Sequence, residues 1–83
     1  MEITIDCGGI ATKQELHECI AEALHFPDWY GGNLDALMDC LTDLDETTVI
    51  LTGRERVGFD ADGFWETFED AERENPNLTV IFE

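Results

Sequence analysis

The sequence contains no serine, and Lys13 is its only lysine. The missing serine excludes a serine nucleophile and the GxSxG motif that would carry one, and the chain also lacks a P-loop and an HExxH motif. Its N-terminus, MEITID, lacks the basic segment and apolar run of a signal peptide. No apolar run approaches the length needed to cross a bilayer. We therefore expect a cytoplasmic protein with no membrane-spanning segment.

Positive charge is scarce throughout the chain. Twenty Asp and Glu residues stand against four Lys and Arg residues, which gives a formal net charge of −16. Such a surface repels phosphate backbones and anionic membranes, so we expect no direct contact with nucleic acid or membrane. A basic protein partner is favoured, because complementary electric fields accelerate encounter. An alternative explanation, general acidity of the source proteome as in halophiles, stays open at this point.

Disulfide and metal motifs are also missing. The three cysteines, Cys7, Cys19 and Cys40, are odd in number and form no CxxC motif, so neither a disulfide framework nor a zinc knuckle is indicated. Cys19 and Cys40 fall at helical packing positions, and we expect reduced, buried thiols. The stretch Asp60–Gly63 resembles part of a calcium loop but lacks the remaining ligands and the closing glutamate. We expect no metal and no cofactor.

Strand and helix patterns alternate along the chain, which predicts one α/β domain over residues 1–83. The predicted strands cover residues 2–6, 47–52 and 78–82, where β-branched and apolar residues concentrate. Helices between strands imply parallel pairing with right-handed crossovers. The second strand has the most continuous apolar centre, so it is predicted to be central. The fold class is therefore a two-layer α/β domain, with a three-stranded parallel sheet of order 1-2-3 and helices on one face.

Three helices are predicted from their end signals. The first begins at the Thr12 capping box and ends near His25, and Asn33 caps the second. The third is capped by Asp60 or Asp62 and ends before Asn75. Residues 53–60 are predicted to form a short irregular link.

The second predicted helix has two distinct faces. At about 100° per residue, one arc is apolar and is predicted to join the core: Leu34, Leu37, Met38, Leu41 and Leu44. Asp35, Asp39 and Asp43 share another arc at i, i+4 and i+8, although each like-charged pair costs a helix about 0.2–0.5 kcal/mol. Asp35 gains from the helix dipole, but Asp39 and Asp43 lie deeper. This face is either solvated surface or a surface for a partner.

Two large aromatics precede that helix, in the stretch PDWYGGNLDALMD. One of Trp29 and Tyr30 is expected to fold back on the core. Both together favour a protein interface, where these residues bury much area and keep a polar tip. Gly31 and Gly32 either make a turn or let the backbone approach a partner closely. The residues thus indicate an aromatic loop and an acidic helix face for a basic partner.

Residues 26–42, FPDWYGGNLDALMDCLT, resemble the signature of the barstar family of intracellular ribonuclease inhibitors, aromatic-Tyr-Gly-x-Asn-Leu-Asp-Ala-Leu-x-Asp. The resemblance implies a barstar-like fold over the whole chain. It also implies an inhibitor whose loop and following helix occlude the active site of a basic, barnase-like ribonuclease. The implied partner-binding residues are Trp29, Tyr30, Gly31, Asn33, Asp35, Met38, Asp39 and Asp70.

The resemblance also implies individual roles. Trp29 would pack on the nuclease, and Asp35 and Asp39 would be the inhibitory carboxylates, with Asp39 at the place of a substrate phosphate. Asp70 would supply an acidic contact from the last helix.

Two departures from the pattern leave the identity of the partner open. Met38 stands where the family's best-known member has a contacting tryptophan. The segment of residues 53–60 is shorter than the family's, which leaves open whether a short helix is kept there.

The expected function is therefore inhibition by a protein that is monomeric when free and has no chemistry of its own. One alternative is a binding module of the same fold for a different toxin or another basic protein. Another is a small acid/base hydrolase, but His17 and His25 lie apart in sequence without a paired nucleophile.

The excess of acidic residues predicts how the free energy of unfolding depends on salt. Self-repulsion among like charges destabilises the compact state, and salt screens it. The free energy of unfolding should therefore rise as sodium chloride is increased from low concentration to about 0.5 M. Urea denaturation at each salt concentration measures it, and a free energy that is constant or falls with salt would contradict the prediction.

Overall fold

The computed structural model describes residues 1–83 and contains a single sheet of three parallel strands in the order β1-β2-β3. The strands are β1 (Glu2–Asp6), β2 (Thr47–Thr52) and β3 (Leu78–Phe82). Their register places Val49 of the central strand between Ile3 and Val80. The predicted strands, their parallel pairing and their order are confirmed.

Three helices connect these strands: α1 (Lys13–Leu24), α2 (Leu34–Thr42) and α3 (Asp62–Glu74). The Thr12 hydroxyl accepts a hydrogen bond from the Glu15 amide at 3.1 Å, which starts α1 as predicted. The Asn33 side chain accepts one from the Ala36 amide at 2.8 Å and starts α2. None of the helices is long and apolar enough to cross a membrane.

The helices cover one face of the sheet. Ile5, Val49 and Leu51 point from that face into a core of 14 buried residues, together with apolar residues of all three helices. The opposite face carries exposed Thr79, and Ile81 retains 39% of its surface exposure there. This arrangement gives the predicted two-layer architecture, because side chains alternate between the faces of each strand.

The beginning of α3 differs from the prediction that Asp60 or Asp62 would be its cap. Ala61 occupies the cap position and has no side-chain hydrogen bond. Asp62 lies inside the helix, so its assignment as a cap is wrong. Asp60 lies one position before Ala61. Its carboxylate accepts a hydrogen bond from the Asp62 amide at 3.1 Å and forms a turn that precedes the helix.

The predicted apolar arc of α2 is also only partly correct. Leu37 and Leu41 are fully buried, but Leu34 is 38% exposed. Leu34 lies in the first turn, and its Cδ1 packs so closely on Gly63 of α3 that a Cβ at that glycine would lie 3.0 Å from it. Cys40 is buried beside the arc, as its helical position predicted, and Cys19 is only partly buried.

The link after β2 contains one turn of 3-10 helix, Arg54–Arg56, which the sequence pattern did not indicate. Gly53 starts this turn with a φ of 73°, in the left-handed region that favours glycine. A Cβ at Gly53 would lie 2.6 Å from the Gly8 amide nitrogen and 2.8 Å from Asp6 Oδ1. The loops that follow β1 and β2 are therefore in backbone contact at this glycine.

This close approach predicts a difference between two glycine substitutions. Gly53→Ala should lower the free energy of unfolding by about 2–5 kcal/mol, since it combines left-handed strain with a clash against backbone. Gly9→Ala is the matched control, because Gly9 has a φ of 85° but no atom within 4 Å of an added Cβ. It should cost only about 1 kcal/mol from strain. Equal losses in chemical denaturation would contradict the close contact.

Candidate functional site

Helix α2 presents an acidic face to solvent. Asn33 fixes its beginning, and the burial of Leu37 and Leu41 fixes the side that faces the core. Asp35 and Asp39 are consequently exposed, one turn apart on the outer side. The sequence places these carboxylates on a helix that is held at both its cap and its apolar side, and not on a free loop.

Neither of these carboxylates is neutralised by the protein itself. The ion pairs of the structure lie elsewhere: Arg56 with Asp6, Arg56 with Glu55, and Arg73 with Asp70. Asp70 is therefore paired within α3, whereas Asp35 and Asp39 retain uncompensated charge. Helix α3 packs against α2, so Asp70 belongs to the neighbouring helix of the same layer.

The loop before α2 separates its two aromatics. Trp29 is 62% exposed, and among the large hydrophobic residues only the N-terminal methionine is more exposed. Tyr30 is partly buried, with its ring 5.0 Å from the Phe26 ring in an edge-on arrangement, and its hydroxyl is hydrogen-bonded to Nδ1 of His17. The expectation that one of the two aromatics folds back on the core is therefore confirmed for Tyr30.

His17 connects this loop to the core. It lies on α1, is buried, and has its ring 4.5 Å from that of Phe64 and 5.7 Å from that of Tyr30. Burial lowers the pKa of His17, because the imidazolium loses its hydration there. Burial also raises the pKa of Tyr30 to about 12. Both side chains are therefore neutral near pH 7, and the hydrogen bond joins two uncharged groups.

The remaining predicted site residues support the loop and the helix. Gly32 has a φ of 67°, so the turn before α2 requires a left-handed residue. Gly31 lies beside the capping side chain, since an added Cβ would be 3.2 Å from Asn33 Nδ2. Met38 is partly buried and packs against the core, so only part of its side chain faces solvent.

The structure thus brings seven of the eight predicted residues into one continuous loop and helix, residues 29–39, and places Asp70 on the adjacent helix. The sequence pattern did not indicate the supporting roles of His17 and Phe26. A signal for His17 was present, since it lies three residues before Ile20 on the apolar side of α1. No group of three or more His, Cys, Asp or Glu side chains in the structure could hold a metal ion.

Comparison with known proteins shows which family shares this loop and helix. The sequence model described as "Barstar (barnase inhibitor)" matches residues 1–74, which is most of the chain. The chain belongs to the barstar family. It is also 38% identical over 79 residues to the Bacillus subtilis (strain 168) protein named "Putative ribonuclease inhibitor YrdF", with 88% of this chain and 87% of that protein covered.

The buried imidazole predicts how stability depends on pH. Because the folded state disfavours protonated His17, the unfolded state binds the proton more readily below about pH 6.5. The free energy of unfolding should therefore fall as pH decreases below that value. His17→Gln removes this titration while keeping a polar group near Tyr30. Urea denaturation between about pH 5 and 7 should show a shallower pH slope for the variant, and equal slopes would contradict the assignment.

Proposed function

We propose that this protein inhibits a ribonuclease by covering its active site with α2 and the aromatic loop before it. The observation that carries the proposal is the pair of exposed, unpaired carboxylates, Asp35 and Asp39, on a helix fixed by its cap and its buried leucines. Membership of the barstar family and similarity to a protein named as a ribonuclease inhibitor support this choice.

The chemistry of the proposed target explains the carboxylates. A ribonuclease must bind the phosphate backbone, so its active site concentrates cationic side chains. A carboxylate that enters such a site makes charge-assisted hydrogen bonds in place of the phosphate. Asp39 lies one turn beyond Asp35, so the two carboxylates project from the same side of α2 and reach neighbouring positions on a partner.

Trp29 supplies the apolar part of the proposed contact. An exposed tryptophan costs solubility when free, and it contributes binding energy when a partner desolvates it. Tyr30 supports this arrangement from behind, because its bond to His17 and its contact with Phe26 hold the loop that carries Trp29. A loop that is ordered before binding loses less conformational entropy when the complex forms.

The proposed activity has no catalytic step. The His17 imidazole is buried and bonded to Tyr30, which removes it as a free acid or base for the hydrolase alternative. Met38 favours a second candidate, a toxin or basic protein other than a barnase-like enzyme. The partly buried thioether of Met38 offers less contact area than the tryptophan at this position in the best-known member of the barstar family. In either case we propose a monomeric, cytoplasmic inhibitor.

Replacing Asp39 tests the proposal. Asp39→Ala should weaken inhibition by about 2–5 kcal/mol, a range that rests partly on measurements made on barnase–barstar itself, because the partner's cations lose their counter-charge. Folding stability should change by less than about 0.5 kcal/mol, because the side chain is exposed and makes no hydrogen bond within the protein. Inhibition titrations against barnase and against a ribonuclease captured from the source organism measure the first effect, and thermal melts measure the second.

Asp43→Ala is the matched control for Asp39→Ala. Asp43 also carries an exposed carboxylate but caps the C-terminal end of α2, one turn beyond Asp39. Its replacement should affect inhibition by less than about 1 kcal/mol. Equal and small losses for the two variants would mean that the acidic face is only a solvated surface. Absence of inhibition by the wild-type protein against every ribonuclease tested would contradict the proposed function.

A further inference from the structure

A second concave surface adjoins the proposed interface, between α1 and the loop that leads into α2. This cleft has a volume of about 970 Å³. The partly exposed rings of Phe26 and Tyr30 line it, and the buried rings of His17 and Phe64 support them through tilted contacts. The cleft therefore has an aromatic floor that the hydrogen bond between His17 and Tyr30 holds in place.

The rim of the cleft is acidic. Glu18 and Glu22 line it from successive turns of α1, Asp28 lines it from the loop, and Asp60 lines it from the segment before α3. The only cation on the rim is Lys13. None of these five side chains takes part in an ion pair, because all ion pairs of the structure lie elsewhere. The cleft thus combines uncompensated negative charge with aromatic surface.

We propose that this cleft, which we call the α1 cleft, receives an arginine side chain from the protein partner, as a second anchor beside the carboxylates of α2. This inference rests on the proposed function for the identity of the partner. A guanidinium group stacks on aromatic rings and forms paired hydrogen bonds with carboxylates, so it matches both the floor and the rim. The aliphatic part of the same side chain covers apolar surface.

The position of the cleft supports a shared partner. Gly31, Gly32 and Asn33 line the α1 cleft and also form the turn between Trp29 and the acidic helix. A partner that covers Trp29 and Asp35 therefore lies at the mouth of the cleft. An anionic occupant is disfavoured by the rim, and a neutral apolar side chain would leave its four carboxylates with Lys13 as their only neighbouring cation.

The test uses a probe that does not depend on any ribonuclease. N-acetyl-arginine methylamide is titrated into the labelled protein, and amide chemical shifts around Glu22, Phe26 and Asp28 are followed by NMR. N-acetyl-citrulline methylamide, which has nearly the same shape but no charge, is titrated in parallel. Saturable shifts at the α1 cleft with the arginine probe, and none with the citrulline probe, are the expected result. Equal responses to both probes would show a neutral occupant and overturn the proposal.

Two double variants separate the cleft from the general charge of the protein. Glu22→Gln with Asp28→Asn removes two cleft carboxylates that make no hydrogen bond within the protein. Glu2→Gln with Glu83→Gln removes the same charge at the two ends of the chain, on exposed residues away from the cleft. The cleft variant should bind the arginine probe at least about fivefold more weakly, and the control should change by less than about twofold. Equal weakening would overturn the proposal.

The same two variants then enter the ribonuclease inhibition titration. The cleft variant should inhibit roughly tenfold more weakly than wild type, and the control should stay within about twofold. If the wild-type protein inhibits and the two variants lose the same amount of inhibition, the proposed arginine in the α1 cleft is wrong while the proposed function stands. If the arginine probe binds but no ribonuclease is inhibited, the proposal that the arginine belongs to a ribonuclease is wrong.

Discussion

The complete burial of Leu37 and Leu41 fixes α2 against the core, and the proposed interface depends on it. Asn75 secures the end of the same helix, since its buried side-chain amide donates to the carbonyl oxygens of Leu41 and Leu44 at 3.0 Å each. Truncating a buried leucine costs about 2–5 kcal/mol, a large part of the stability of a domain this small. The buried leucines therefore hold the acidic face in one orientation even though its carboxylates repel each other.

The unpaired carboxylates illustrate how binding and stability compete in this protein. Asp35 and Asp39 repel each other on α2, and Glu18 and Glu22 repeat the same spacing on α1. With only four cations in the chain, few carboxylates find a partner within it. The same shortage leaves charge available for the basic partner that we propose, whose association it would accelerate. Cationic groups of a partner would relieve this repulsion, so the charges that weaken the free protein would strengthen the complex.

Patterns local in sequence were predicted well. The Thr12 and Asn33 caps, the three strands and the parallel sheet order follow from residue type and periodicity, and the structure contains all of them. The sequence did not reveal that Leu34 is 38% exposed, because this depends on how α2 packs against α3. Nor did it reveal the contact of Tyr30 with His17, which are 13 residues apart on different elements. The α1 cleft is formed by three segments that are distant in sequence, namely α1, the loop before α2 and the segment before α3, so only the tertiary arrangement defines it.

The central claim is that α2 occupies the phosphate-binding site of a ribonuclease. A competition titration tests it most directly, with a 3′-mononucleotide and this protein competing for an enzyme that the protein inhibits. The apparent dissociation constant of the protein should rise in proportion to nucleotide concentration once the nucleotide saturates the site, because both ligands need the same cations. A dissociation constant that does not change with nucleotide would place the protein elsewhere on the enzyme and contradict the claim.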